Sequence, residues 1–485
     1  MNKFRFLLPV LSILSLFLFL ACAQINGKKW QDDTTPISYF EENQEFDDAR
    51  KNYKEYCSGC HGGEMQAFVD RKWMHGTEAE DLFKSIKVGY PNGGMPSFDT
   101  TFTDKEIKEL VDYILTGIEY QRQYAFQEEE VKTDTFKLED LTVELDTIVY
   151  DKEGLDIPWG MAFLPSGDML VTDRGGKFFR MDKGGKLHEI ANAPKVKAQG
   201  QGGLLDVELH PKYEENGWLF LSFSKPQGAK ATTAVIRAKL QNDALVDVEE
   251  VFEGKPYWGT TYHFGSRIVF DNDGYMYISM GDRGKRDINP QGLDKHGGKI
   301  HRLNDDGSIP SDNPFIGQEN VVPSIWSYGH RNPQGLAYNP ETNTLWENEH
   351  GPRGGDEINM IRPGLNFGWP IISYGINYNG TTFTTLTAKD GMEQPESHWT
   401  PSIGVCGMAV ITSDKYPGWK GDLMSGSLRF NYVSRSVVKD NKVVKEEIIL
   451  KNIGRVRSVV MGRDGYMYVG VENPGAIYRI MPVLN

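Results

Sequence analysis

Asp273-Gly274-Tyr275-Met276-Tyr277-Ile278-Ser279 is the stretch on which the fold turns. The Asp-Gly pair marks a tight turn, because glycine enters left-handed backbone without steric cost, and the β-formers after it start a strand. The same unit returns as Pro165-Ser166-Gly167-Asp168-Met169-Leu170-Val171-Thr172 and as Asp464-Gly465-Tyr466-Met467-Tyr468-Val469-Gly470. Looser copies are Glu215-Asn216-Gly217-Trp218-Leu219-Phe220-Leu221, Glu341-Thr342-Asn343-Thr344-Leu345-Trp346 and Gly421-Asp422-Leu423-Met424-Ser425. Successive copies lie roughly 45 to 80 residues apart, about one four-stranded sheet plus loops. Six copies predict an all-β six-bladed propeller over 141–485, with a pair of sandwiches or a β-helix as the competing architecture. A propeller closes its ring so that no long edge is exposed, and its central mouth is a natural ligand site.

Upstream the texture is different. Lys3 and Arg5 precede an apolar run from Phe6 to Leu20, which is short for a membrane span and has the layout of a signal peptide over 1–22. Ala21-Cys22-Ala23 is a small-x-small cleavage site, and Phe19-Leu20-Ala21-Cys22 equally resembles a lipobox that would lipidate Cys22. Either way the protein is expected to be exported, to the periplasm or as a membrane-anchored lipoprotein. Residues 23–46 read as an acidic tether and 47–120 as a small all-α domain. Within that domain Thr103 caps a helix whose apolar residues recur at helical spacing from Ile107 to Leu115. Residues 121–140, rich in glutamate and lysine, read as a linker. The chain has 485 residues and a net charge of −14, which argues against a nucleic-acid partner and suits a cationic redox partner or a neutral substrate.

There are 4 cysteines, too few for a disulfide scaffold. Cys406 stands alone and reads as a small buried apolar residue. Cys57-Ser58-Gly59-Cys60-His61 is the C-x-x-C-H signature of covalent c-type haem attachment, in which two thiols bond the porphyrin and the histidine ligates iron. A redox C-x-x-C or half of a zinc site are the alternatives, but zinc needs a second ligand pair that does not follow. Met95, in Gly93-Gly94-Met95-Pro96, is the expected second axial ligand, with Met74 or His75 in reserve. A Met/His pair raises the reduction potential and suits an electron acceptor. On these motifs residues 47–120 resemble a class I cytochrome c.

Several clusters in the β region exceed what blade turns require. They are Gln199-Gly200-Gln201-Gly202-Gly203-Leu204-Leu205-Asp206, His263-Phe264-Gly265-Ser266-Arg267, Gly281-Asp282-Arg283-Gly284 and Gly329-His330-Arg331-Asn332-Pro333-Gln334. They continue with Glu349-His350-Gly351-Pro352-Arg353-Gly354-Gly355-Asp356-Glu357, Asn366-Phe367-Gly368-Trp369-Pro370 and Gly454-Arg455-Val456-Arg457. In this order they resemble the soluble pyrroloquinoline-quinone (PQQ)-dependent glucose and aldose sugar dehydrogenases. The resemblance implies a six-bladed propeller, PQQ and Ca²⁺. It implies cofactor contacts at Gln201, Arg331, Asn332, Gln334, Arg429, Arg455 and Arg457, with Arg429 standing where the family usually has lysine. It makes His263 the base and Asp282 its orienting carboxylate. It places calcium on the carbonyls of Gly351 and Pro352, and a second calcium on Glu357 and the carbonyl of Phe367, where tyrosine is more usual.

The chemistry is consistent with the residue types. Arginine forks pair with a cofactor's carboxylates, and histidine is the side chain poised to take a hydroxyl proton near neutral pH. Simpler roles compete: arginines paired with neighbouring acids, Glu357 bridged to Arg353 or Arg362, and His330 and His350 as loop packing. The leading expectation is an aldose dehydrogenase that oxidises the anomeric hydroxyl to a lactone. Its electrons would pass through the fused haem to a cytochrome or membrane acceptor. The rivals are a calcium-dependent lactone hydrolase and a cofactor-less propeller binding or sensor module carrying a cytochrome.

Overall fold

The computed structural model describes residues 46–57, 75–90, 95–122, 134–378 and 381–483. They divide into a helical unit, up to residue 56 and again to residue 121, and a larger β unit that begins after it. In the helical unit, Asp104–Arg122 is a 19-residue helix. Its start is a reciprocal cap. The Glu106 N–H donates to Thr103 Oγ1 at 3.3 Å, and the Thr103 N–H donates to Glu106 Oε2 at 2.7 Å. Ile107, Leu110, Val111, Ile114 and Ile118 form its buried stripe. A shorter helix, Ala79–Val88, buries Leu82 and Ile86. Tyr90 and the half-buried Met95 exchange backbone hydrogen bonds at 2.8 and 3.2 Å.

The β unit is a ring of six antiparallel sheets. The strands β1 (Thr135–Lys137) and β2 (Thr142–Tyr150) come first in the chain but complete the last blade. Blade 1 is β3–β6: Pro158–Phe163, Met169–Asp173, Phe178–Met181 and Leu187–Glu189. Blade 2 is β7–β10: Leu204–Leu209, Trp218–Gln227, Lys230–Gln241 and Ala244–Glu253. Blade 3 is β11–β14: Ile268–Phe270, Met276–Met280, Lys299–Leu303 and Ile325–Tyr328. Blade 4 is β15–β18: Pro333–Asn339, Thr344–Glu349, Asp356–Ile361 and Ser397–Trp399. Blade 5 is β19–β22: Val405–Val410, Leu423–Ser427, Val433–Lys439 and Lys442–Ile449. Blade 6 is β23–β25, Arg455–Met461, Met467–Glu472 and Ala476–Val483, followed by β2 and β1.

Every copy of the repeated motif falls at the same place, the turn from a blade's innermost strand into its second strand. Gly167, Gly217, Gly274, Asn343, Gly421 and Gly465 sit there with φ between 53° and 90°. Glycine and asparagine are the residues that enter this region cheaply. Blades carry apolar residues on both faces, so adjacent blades share buried clusters. Leu170 meets Leu221, Phe220 meets Ile278, Ile300 meets Leu345, and Trp346 meets Val410. Met424 with Val469 joins blades 5 and 6, and Tyr468 with Val171 joins blade 6 back to blade 1. The closing interface is thus built like the others.

The expected linker over 121–140 needs correction at both described ends. Gln121 and Arg122 finish the long helix, and Thr135–Lys137 is already a strand paired with β2. Asp140 then accepts hydrogen bonds from Trp419 Nε1 and Arg435 Nη1, both at 3.0 Å. The propeller therefore starts before residue 141, because ring closure needs an N-terminal strand that polar composition had disguised. The leader, Cys22, the tether up to residue 45 and residues 123–133 lie outside the described residues.

On the ring axis Arg267 ties several blades together. It donates to Gln334 O at 2.8 Å, to Trp159 O and Asp206 Oδ1 at 3.1 Å, and to Arg457 O at 3.0 Å. Cys406 also lies here, and its company corrects the apolar reading. It is fully buried, but its Sγ–H donates to Arg457 O at 3.0 Å.

Candidate active site

Loops leading into β7, β11 and β15, and loops leaving β12, β16 and β17, converge on a cleft of about 770 Å³. That size is ordinary for a small-molecule site. Its wall includes Gln201, His263, Asp282, Arg331, Pro352 and Trp369.

His263 is the most constrained of these. Its φ of 58° lies in the left-handed region, which costs a side chain with a Cβ about 1–2 kcal/mol. Neighbours hold it there. Its N–H donates to Gln201 Oε1 at 2.7 Å. The buried Arg283 guanidinium donates to the carbonyls of Tyr262 and Thr260, the latter at 2.7 Å, and lies over the Phe264 ring at 3.4 Å. A Cβ on Gly281 would stand 2.5 Å from the His263 carbonyl oxygen, so only glycine admits this approach.

The imidazole is aimed by Asp282. Nδ1 lies 2.6 Å from Asp282 Oδ1, which also accepts the Gly284 N–H at 2.7 Å. Burial pushes the imidazole below its ordinary value, Arg331 adds to this, and Asp282 opposes it. Burial alone would raise the Asp282 carboxyl, yet His263, Arg331 and the Trp369 N–H together hold it below the usual carboxylate range. A neutral imidazole beside an ionised carboxylate carries its proton on Nδ1, leaving Nε2 as the basic nitrogen. This is the arrangement of a general base.

The cationic residues are less uniform than predicted. Arg331 donates to His350 O at 2.9 Å and to the Tyr378 hydroxyl at 3.4 Å, with its guanidinium 5.4 Å from the Trp369 ring. Gln201 and Arg331 line the cleft, whereas Asn332, Gln334, Arg429, Arg455 and Arg457 are not part of its wall. Their polar ends are engaged nearby. Gln334 Oε1 accepts from Arg457 Nη1 at 3.2 Å, Arg429 donates to Ser402 O at 3.2 Å, and Arg455 and Arg457 share Glu472 at 3.7 and 2.8 Å. Two donors remain orphaned: Asn332 Nδ2 and Arg457 Nε are buried without a hydrogen-bond partner among the described residues. Stranded donors beside guanidinium groups fit an anionic, acceptor-rich ligand such as a quinone bearing carboxylates.

Gly351 and Pro352 turn tightly at the same mouth. The Gly351 N–H donates to Asp356 Oδ1 at 2.9 Å, and a Cβ on Gly351 would lie 2.1 Å from Gly355 O. The Pro352 carbonyl accepts from Ser402 Oγ at 3.3 Å. Glu357 belongs to another cluster. It pairs in register with Glu349 across β16 and β17, and Asn359 Nδ2 spans Glu347 at 3.1 Å and Glu357 at 3.4 Å. Donor atoms of His330, Glu347 and Glu349 lie within 4.8 Å of one another, and His330 stacks on Phe367 at 4.7 Å. Burial, reinforced by the charge of Glu349, raises the carboxyls of Glu347 and Glu357 well above their ordinary range. Arg362, one expected partner for Glu357, pairs instead with Glu393 at 3.6 Å. Buried carboxylates, one with the orphaned oxygen Glu347 Oε1, fit a hard cation.

Cys57 is buried at the end of the helical turn Tyr53–Cys57. Cys60, His61 and Met74 lie outside the described residues, and the alternative His75 stacks on Tyr90 at 3.6 Å. The sequence reading gave no role to Trp369, Tyr378, Glu347 or Glu349. Trp369 and Glu349 stand inside clusters that the sequence singled out, and Glu347-Asn348-Glu349 on a strand puts two carboxylates on one face.

The profile described as Glucose / Sorbosone dehydrogenase matches residues 155–479, and that of Cytochrome C oxidase, cbb3-type, subunit III matches residues 44–114. The aldose sugar dehydrogenase YliI of Escherichia coli (strain K12) is 44% identical over 346 residues, covering 69% of this chain and 92% of that protein. The apo-form crystal structure of the soluble aldose sugar dehydrogenase from Escherichia coli superposes with a TM-score of 0.66 and 41% identity, covering 70% of this chain and 100% of that one. The PQQ-bound aldose sugar dehydrogenase of Streptomyces coelicolor gives a TM-score of 0.59 and 27% identity, over 70% of this chain and 98% of that one. With a six-bladed ring, a buried His–Asp pair at its mouth and a match over most of the β unit, this chain belongs to the glucose/sorbosone dehydrogenase family and carries a cytochrome c domain ahead of it.

Proposed function

We propose that this protein is an exported quinohaemoprotein that oxidises the anomeric hydroxyl of an aldose to the lactone. The observation that carries the reading is the His263 imidazole on the wall of the cleft, its Nδ1 held 2.6 Å from Asp282 Oδ1. When bound, PQQ supplies a carbonyl that accepts the hydride, calcium a Lewis acid beside it, and haem c an outlet for single electrons.

The chain's own residues do the rest. His263 Nε2 takes the hydroxyl proton as the C–H bond gives up its hydride, and Asp282 stabilises the imidazolium that results. Gln201, Arg331, Asn332, Gln334, Arg429, Arg455 and Arg457 are the residues to hold the cofactor's acceptors. Gly351 and Pro352 offer calcium their carbonyls, while Glu357 and Phe367, with Glu347, Glu349 and His330 around them, hold a second ion. In the cytochrome domain Cys57 and Cys60 bond the haem, and His61 and Met95 ligate its iron. Cys22 serves as a lipid anchor, and a periplasmic or membrane-side acceptor takes the electrons. A bare binding module has no use for a polarised base, and a lactone hydrolase has none for the cationic residues or the haem.

Protein carrying haem and loaded with PQQ and calcium should show ferrous c-haem absorption bands when an aldose is added. Iron that stays ferric with every aldose offered would overturn the proposal.

A further inference from the structure

We propose that Trp369 is a positioning residue for catalysis: its indole N–H fixes the carboxylate that aims the base. The inference rests on His263 acting as that base. Asp282 is almost completely buried, and its two oxygens are held in different ways. Oδ1 accepts from His263 Nδ1 at 2.6 Å and from the Gly284 N–H at 2.7 Å, whereas Oδ2 accepts from Trp369 Nε1 at 3.0 Å. A carboxylate gripped at one oxygen can still rotate about its Cβ–Cγ bond. Gripped at both, it presents one fixed lone-pair direction to the imidazole.

The segment that carries the indole is itself anchored through its main chain. The Trp369 backbone N–H donates to Gly329 O at 2.9 Å, its backbone carbonyl accepts from Gln291 Nε2 at 2.8 Å, and Gln291 also bonds Asn366. Phe383 packs edge-on against the ring at 5.2 Å. The ring also borders the cleft and stands 5.4 Å from the Arg331 guanidinium. One side chain therefore borders both the cationic residue expected to hold the cofactor and the pair that takes the proton. Its N–H reaches Asp282 rather than any reacting atom, so it acts through the carboxylate.

The test uses the full haem-carrying chain and two substitutions. Trp369→Phe removes the N–H and part of the ring. Replacing Trp369 by benzothienylalanine exchanges only the N–H for sulfur and keeps the shape, which guards against a folding defect in the first variant. Both should lower kcat about 10- to 100-fold, the cost of misaiming a catalytic group, and leave the aldose KM within about twofold. In cofactor-free protein, the far-downfield His263 Nδ1–H proton resonance should move upfield or broaden away in both. An unchanged resonance in the benzothienylalanine protein would overturn the positioning role. Wild type that oxidises no aldose would instead sink the parent reading, and the resonance would still report on Trp369.

Discussion

At His263 backbone strain, burial and hydrogen bonding act on one residue. Its φ of 58° is tolerated because Gln201, Arg283 and Gly281 close around it. Asparagine accepts left-handed backbone better than most residues, so His263→Asn should leave the fold intact and remove only the base. The expected loss in kcat is about 10²- to 10⁴-fold with quinone affinity retained, as read by steady-state kinetics and a quinone titration. The pH profile follows from the same site. The imidazole is depressed, so the neutral, proton-accepting form persists below the ordinary histidine value of about 6.5. The acid limb of kcat/KM should therefore fall below that pH, and a limb above it would contradict the assignment. His263 and Asp282 were legible because motif context marks them. Trp369 was not, because its partner Asp282 is 87 positions away in the chain.

Two strand arrangements carry consequences at the next scale. β2 pairs with β25 from Thr142↔Val483 to Tyr150↔Ala476, so the ring is closed by residues from both ends of the β region. A chain beginning at residue 134 should fold to a ring with a single cooperative melt. One beginning at residue 151 lacks β1 and β2, leaves the hydrogen-bonding edge of β25 unpaired, and should aggregate. Size-exclusion chromatography with calorimetry separates these outcomes, and a well-behaved shorter chain would show that closure is dispensable. On β16 and β17, Glu347, Glu349 and Glu357 place like charges together in a buried setting. Calcium present at about 100 times its Kd should stabilise the ring by about 2.7 kcal/mol, seen as a rise in Tm that a chelator reverses. Glu347→Gln should raise the Tm of metal-free protein and shrink the calcium response. The turn repeat was plain in the sequence because each copy needs a residue that tolerates positive φ. The first strand escaped notice because Thr135–Lys137 is short and polar, and only its pairing with β2 makes it part of a sheet.

At the scale of the molecule, the chain divides into two compact units. If the haem is only an outlet, Cys57→Ser with Cys60→Ser should abolish the covalent haem yet leave aldose oxidation by a soluble dye within about twofold of wild type. A double variant inactive with dye would show that the sugar site depends on the cytochrome domain. The −14 net charge is compatible with a cationic acceptor docking to the protein, and rates to such an acceptor should fall as salt rises.

What the sequence determined alone is what local chemistry encodes. Turns that need Gly or Asn mark six blades, the C-x-x-C-H motif marks a cytochrome c domain, and motif order marks the dehydrogenase. What only the tertiary structure decided is which distant groups meet. These are the Asp282–Trp369 contact, the Glu347–Glu349–Glu357 cluster, Glu472 shared by Arg455 and Arg457, and the closing strand. The physical reason is that a turn's conformational energy depends on a few adjacent residues. A buried hydrogen bond or charge cluster depends on loops from different blades brought together by the packing of the ring.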